Sequence, residues 1–292
     1  MAYETTYTAV GNREDLSDII TNISPTQTPI YSLIGRTVAK ATYHEWLEDE
    51  LAAPGANAQV EGADFSGIIQ APTARVRKGN YTQIFSKGYG VSGTQEVVLK
   101  AGIKSEIAYQ MAKAMKEIAR DVEYAIITNA AAVAGDATTA RQMGGIPAFV
   151  TTNVTDAGGV ALTEDMLNDA IQASWKAGGE PDTVVVSGKN KRAISGFTAG
   201  VTKTVSADDK RLIAAVDVYE SDFGMVKIIA DRWMPDTDLF VLDKSYLKVA
   251  YLRPFKQEEV AKTGDRTEKV IVGELTLEVR AEKAQARITN LG

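Results

Sequence analysis

An α+β fold is predicted by three features of this 292-residue sequence. A long helical run from Ser105 to about Ala134 places Ile107, Met111, Met115, Ile118, Val122 and Ile126 at steps of three or four, which buries one face. Upstream of it, residues 38–91 make two β-prone arms around an Ala/Gly-rich middle. Downstream, helix and strand patterns alternate over 145–240, and the chain then turns β-rich.

Composition narrows the function classes. No apolar run approaches the roughly 18 residues that a membrane helix needs, and the opening MAYETTYTAV has neither the basic nor the apolar region of a signal peptide. With no Cys, disulfides and thiolate metal sites are excluded, which suits a cytosolic birthplace. A formal charge of −6 with no basic stripe argues against a grip on nucleic acid, and a single His makes His-based zinc or triad chemistry unfavourable.

In order along the chain, Asn12 caps a short amphipathic helix with Leu16, Ile19, Ile20 and Ile23 as its stripe. SPTQTP (24–29) ends it, and Pro29 opens a second short helix that Thr28 caps and Gly35 closes. These pieces bury little among themselves. Val38 to Glu50 and Thr73 to Val91 are extended arms of opposite charge: Glu45, Glu48, Asp49 and Glu50 go out, and Arg75, Arg77 and Lys78 come back. Antiparallel pairing would bring them together. A two-stranded ribbon is marginal alone, so it is expected to lean on another molecule, with its tip, 52–71, mobile in a free subunit and ordered on assembly.

A short helix over 92–102, capped by Thr94 and stopped by Gly102, feeds the long run. Ser105 caps that run and Gly135-Asp136 stops it, which implies a rod of about 45 Å. Lys113, Lys116, Glu117, Arg120, Asp121 and Glu123 take its wet side. After a Gly/Pro-punctuated connector (141–153), residues 162–179 read as a helix with a Thr163 cap and Leu167, Ile171 and Trp175 inside. DTVVVSG (182–188) is a buried strand, Ser187 caps a helix over 188–197, and a polar loop follows. VDVYES and MVKIIAD flank a hairpin turn at Asp222-Phe223-Gly224. Residues 239–254 and 267–291 are β-rich, with a phase change at Gly273 that suggests a bulge.

Four features could carry chemistry. SGKNK after VVV offers backbone N–H groups at a helix start, but G-x-x-x-x-G-K-[ST] is missing, so a structural helix start is favoured. Asp222-Phe223-Gly224 spells the kinase magnesium tripeptide without its glycine-rich loop or H-R-D; a turn is favoured. Glu48, Asp49 and Glu50 could hold a hard cation, against which stands a solvated edge. His44, between Tyr43 and Glu45, is expected to be structural. No nucleophile, base and orienter come together, so no catalytic residue, cofactor or metal is expected.

The order of helical arm, long hairpin, long rod, α/β domain and β-rich close resembles the major capsid protein of tailed bacteriophages, the Hong Kong 97-type fold. The stretches that carry the likeness are 12–35 (NREDLSDIITNISPTQTPIYSLIG), 44–51 (HEWLEDEL), 91–102 (VSGTQEVVLKAG) and 218–243 (VYESDFGMVKIIADRWMPDTDLFVLD). The resemblance implies an N-terminal arm (1–37), an extended loop over a neighbouring subunit (38–91), a first part of the peripheral domain with the rod as spine helix (92–144), an axial domain (145–240) and returning peripheral strands (241–292). Glu45, Glu48, Asp49, Glu50, Arg75, Arg77 and Lys78 become candidate contacts between subunits.

Function follows as an expectation: copies of the chain assemble into pentamers and hexamers of an icosahedral head shell. The subunit would be made in the host cytoplasm and held in the virion, with portal, scaffold or decoration proteins as further partners. Packaged DNA would be met only non-specifically, and no membrane is involved. Some relatives carry a long charged scaffold segment, absent here, so no scaffold-removing protease is expected. Others crosslink a loop Lys to a neighbour's Asn; Lys78 and Lys87 lie on the ribbon, but no matching Asn and Glu can be assigned, so no crosslink is expected. A nanocompartment shell of the same fold is one alternative, and an α/β enzyme built on 145–240 is another.

Overall fold

A computed structural model of the chain describes residues 27–62, 74–99, 102–197 and 218–292. The helix expected at 12–23, the loop at 198–210 and residues 63–71 of the ribbon tip lie outside the described residues. The chain enters through α1 (Pro29–Leu33), which Pro29 starts with its fixed φ. Then β1 (Gly35–Val38) runs parallel to a later strand, and β2 (Tyr43–Glu48) pairs antiparallel with β3 (Val76–Tyr81). At Thr82 the returning arm leaves this ribbon and becomes β4 (Gln83–Ser92), which pairs with the main sheet instead. The two-stranded part is therefore only six residues long on each side. Between its strands, residues 51–60 are exposed and carry no secondary structure.

Next come α2 (Gly93–Val97) and α3 (Glu106–Thr128). Ser92, not Thr94, caps α2, accepting from the Gln95 amide. Ser105 caps α3 as expected, and the Glu96 carboxylate adds bonds from the Ser105 hydroxyl and the Glu106 and Ile107 amides. The rod is shorter than the sequence implies. It ends at Thr128, so its 23 residues span about 35 Å. The Ala-rich continuation favours helix by propensity, but tertiary contacts override it. The Asn129 amide donates to Met143 O at 2.8 Å, Asn129 O accepts from Gly145 N, and Gly145 crosses so close to the helix end that a Cβ there would lie 2.5 Å from Ile126 O.

Ile118, Val122 and Ile126 are buried as the spacing predicts, and the first half of α3 departs from it. Ala114, Ile118, Val122, Ala125, Ile126 and Ile127 are buried, whereas Met111 and Met115 are 37% and 47% exposed. Glu123, expected on the wet side, is fully buried. The methionines of the first half are only partly covered within the described residues.

Two sheets hold the rest. The first has the order β1-β10-β11-β4, with β10 at Leu247–Glu259 and β11 at Arg266–Val279. The irregularity expected at Gly273 exists, but the extra residues lie on β10, where the register shifts twice between Tyr251 and Lys256. Gly273 is small because the Phe255 ring lies on it: a Cβ would come 2.3 Å from Phe255 Cδ1.

The second sheet has the order β5-β12-β9-β6-β8-β7, with β5 at Val154–Asp156, β6 at Thr183–Val186, β7 at Val218–Ser221, β8 at Gly224–Ala230, β9 at Leu239–Leu242 and β12 at Ala286–Thr289. The pairs β6–β8 and β5–β12 are parallel and the others antiparallel. The four-residue α4 (Ile146–Phe149) packs on α3 and β11, and the helices of the second sheet are α5 (Glu164–Lys176), capped by Thr163, and α6 (Gly188–Phe197), where Ser187 accepts from the Asn190 amide. Strands β6 and β9 are buried along their whole length because both faces are covered. Val185, Phe240 and Leu242 join the core under α3, while Val184, Val186, Leu239 and Val241 join that of Leu167, Ile171 and Ile194. Trp175, expected inside, is 52% exposed and lies against Phe223 in the β7–β8 turn, ring centroids 5.2 Å apart.

Candidate subunit-contact site

The ribbon is built from its root. Asn80 is fully buried and uses both of its N–H donors and its oxygen there. Its amide donates to Gly144 O and Leu277 O at 2.9 and 2.8 Å, and Oδ1 accepts from Gly144 N at 2.8 Å. On the same inward face, Trp46 packs against Phe149 at 5.7 Å between ring centroids, and His44 Nε2 lies 3.1 Å from Glu278 Oε2. A second anchor holds the kink at Thr82. Glu274, 4% exposed, accepts from the Thr82 hydroxyl at 2.6 Å and is flanked by Arg141 and Arg253. Burial opposes its ionisation, yet the Thr82 and Arg253 hydrogen bonds and the Arg141 charge hold the carboxyl below its usual range. The ribbon therefore leans on its own chain along one face: strict alternation turns His44, Trp46 and Glu48 inward and Tyr43, Glu45 and Leu47 outward.

Its candidate charges all find partners in the same subunit. Arg77 binds Glu45 bidentately, Nε to Oε1 at 2.5 Å and Nη2 to Oε2 at 2.7 Å. Arg75 pairs with Asp49 at 3.2 Å, Lys78 with Glu48 at 2.8 Å, and Glu50 with Lys283, just before β12, at 2.5 Å. The structure thus pairs the two charged arms antiparallel. It distributes Glu48, Asp49 and Glu50 to three different cations, and no His/Cys/Asp/Glu group among the described residues could hold a metal ion. Exposed pairs of this kind contribute little to folding. They keep the outer face charged and ordered.

Sequence reasoning missed the apolar share of that face. Leu47 is 63% exposed beside Arg77, and Tyr43 lies on Tyr81 with centroids 4.6 Å apart, over Gly79. Alternation from the buried Trp46 could have found them. Beyond the ribbon, Val97, Val98 and Leu99 are exposed where α2 ends. The other sequence candidates have structural work. Lys189 and Lys191 donate to Gly292 O and Ile228 O, and the Asp222-Phe223-Gly224 segment is a turn closed by Ser221 Oγ on Gly224 O. No helix among the described residues is long and apolar enough to cross a membrane.

The family model described as SU10 major capsid protein matches residues 3–292. The chain belongs to the SU10 major capsid protein family. It is 28% identical to the major capsid protein of Escherichia phage Phieco32, over 94% of this chain and 93% of that one. In fold it is similar to the cyanophage A-1(L) capsid asymmetric unit, with a TM-score of 0.72, 13% identity and 99% of both chains covered. The capsid of a native GTA particle gives a TM-score of 0.67 at 13% identity, covering 98% of both chains. The holo-SrpI encapsulin complex from Synechococcus elongatus PCC 7942 gives 0.64 at 11% identity, covering 100% of this chain and 96% of that one. The capsid subunit thus has the Hong Kong 97-type fold that its sequence resembles, and the ribbon, rod and two sheets are parts of a shell-building chain.

Proposed function

We propose that this chain builds the icosahedral shell of a tailed-bacteriophage head, with other copies of itself as its principal partners. The family match across residues 3–292 carries this reading. In that role residues 1–37 serve as the arm, 38–91 as the loop laid over a neighbour, 92–144 and 241–292 as the peripheral region, and 145–240 as the axial region. Glu45, Glu48, Asp49, Glu50, Arg75, Arg77 and Lys78, already paired in one subunit, exchange or share partners across the contact, with Tyr43 and Leu47 giving it apolar area. Portal, scaffold or decoration proteins meet the finished shell, and packaged DNA meets an acidic subunit only non-specifically. The subunit is made in the host cytoplasm. No catalytic centre and no cofactor belong to this role.

Likeness to an encapsulin favours a second reading, a nanocompartment shell; the phage capsid family match favours the head. Expression of the full chain with negative-stain microscopy and sedimentation tests the proposal. Closed shells, or pentamers and hexamers, are expected, and a monomer at all concentrations and salts refutes it. Replacing 52–71 by an Asn-Gly turn should leave the subunit folded and its shells absent or fragile. Normal shells from that variant would remove the ribbon from the contact.

A further inference from the structure

Between α1 and β8 lies an open trough of about 630 Å³. One wall is the outward face of α1, where Pro29, Ser32 and Leu33 stand at i, i+3 and i+4. The inward face of that short helix is fixed. Ile30 and Ile34 are buried, and the Ile30 and Tyr31 amides donate to the Glu123 carboxyl on α3, both at 2.7 Å. The other wall is the end of β8, where Ile229 and Ala230 line the trough beside the exposed Lys227. From α6, Lys191 lies there too and donates to Ile228 O. Among the described residues β7 pairs with β8 only as far as Lys227, so residues 228–230 have β6 on one side and the trough on the other.

The described chain starts beside this trough. Gln27 is tied to the loop after β8, its carbonyl accepting from Trp233 Nε1 at 3.4 Å and its Oε1 from Arg232 Nε at 3.5 Å. Residues 1–26 precede it. The stretch from Ser24 to Gln27 reaches at most about 14 Å, so Ile23 is held to the trough by a short tether. Residues 12–23 carry the pattern that an apolar groove takes: Leu16, Ile19, Ile20 and Ile23 stand at i, i+3, i+4 and i+7. A helix of that length is marginal alone in water, so its stripe needs a surface to lie on. Charge agrees, since Glu14, Asp15 and Asp18 outnumber Arg13 in the segment, while the trough carries Lys191 and Lys227.

We propose that residues 12–23 form a helix that lies in this trough of its own subunit, with Leu16, Ile19, Ile20 and Ile23 turned inward against Pro29, Leu33 and Ile229. The proposal concerns a single subunit and does not rest on the shell reading. A subunit folded in this way keeps its apolar N-terminal stripe covered and away from other chains.

The chain has no cysteine, so chemical bridging on the full chain tests the seat directly. Leu33→Cys is combined in turn with Leu16→Cys, Ile19→Cys, Ile20→Cys or Ile23→Cys, and with Asp18→Cys or Thr21→Cys on the far side of the helix. Each pair is treated with a short bismaleimide. The stripe positions should bridge to position 33 within one chain, and the far-side positions should not. Bridges between chains would give the trough to the segment of another copy and overturn the proposal. No bridge, or equal bridging at every position, overturns it as well. In the cysteine-free chain, Ile19→Asp together with Ile20→Asp should raise hydrogen exchange at Ser32 and Leu33 roughly tenfold or more, while β6 stays constant. Unchanged exchange there refutes the seat. So does a rise produced instead by Ala215→Pro, which would assign the trough to the residues before β7.

Discussion

Replacing Asn80 by Ala should uncouple the ribbon from the body at a cost that the geometry sets. The substitution removes one acceptor and two donated bonds, and leaves Gly144 N, Gly144 O and Leu277 O without their partner in a site where Asn80 is fully buried. An orphaned buried polar group costs about 1–3 kcal/mol. The three losses overlap, because Gly144 supplies two of them, so the sum is roughly 3–6 kcal/mol. That is a large part of the 5–15 kcal/mol that typically holds a domain. Urea unfolding of the subunit gives the number, and hydrogen exchange over β2 and β3 shows whether the loss is local. Asn80→Asp should be no better at neutral pH, since a carboxylate faces two carbonyls with nothing to donate, and should improve as acid protonates it. A cost under about 1 kcal/mol for Asn80→Ala would mean that water re-satisfies all three groups, and would sink the view of Asn80 as the ribbon's anchor.

Other substitutions separate folding from assembly. Gly273→Ala drives a methyl into the Phe255 ring, so chemical denaturation should report a loss of about 1–3 kcal/mol. Trp46→Ala empties the contact with Phe149 and should cost about 3–5 kcal/mol. Leu47→Asp, on the outward face, should leave the subunit's unfolding midpoint unchanged yet abolish shells in microscopy; intact shells would exclude that face from the contact. Hydrogen bonds from the Thr138 backbone, the Thr138 hydroxyl and the Thr139 backbone hold the Asp136 carboxyl down at about 2. The order that it gives the 133–142 loop should be complete above its ordinary range and lost as pH falls through about 2, which carboxyl NMR titration reads directly.

What the sequence made legible was whatever short-range chemistry decides. Thr163 and Ser187 were readable as caps, and the opposite charges of the two arms were readable as a reason for them to pair. The rod failed where distant residues intervene. Its Ala-rich end is stopped by Gln83, Met143 and Gly145, none of them near in sequence. Glu123 was assigned to water because it is charged, although its neighbours four residues away, Ala119 and Ile127, are the signal that it shares the buried face. Asn80 gave no sign at all, since its value lies in carbonyls 64 and 197 residues further along the chain. Met111, Met115 and Trp175 sit at core spacing yet reach solvent, because periodicity reports which side of a helix is greasy and not whether one subunit supplies the cover.

The insertion of β12 between β5 and β9 has a consequence for timing. Strand β9 ends at Leu242, but its neighbour begins only about 44 residues later, at Ala286. At a synthesis rate of roughly 5–20 residues per second, the second sheet stands open for about 2–9 s while the two strands of the intervening hairpin are made. During that interval β5 and β9 show unpaired edges, which invite association with other chains. Just before that strand, Lys283 meets Glu50 of the ribbon. A nascent subunit therefore closes its second sheet in one late step.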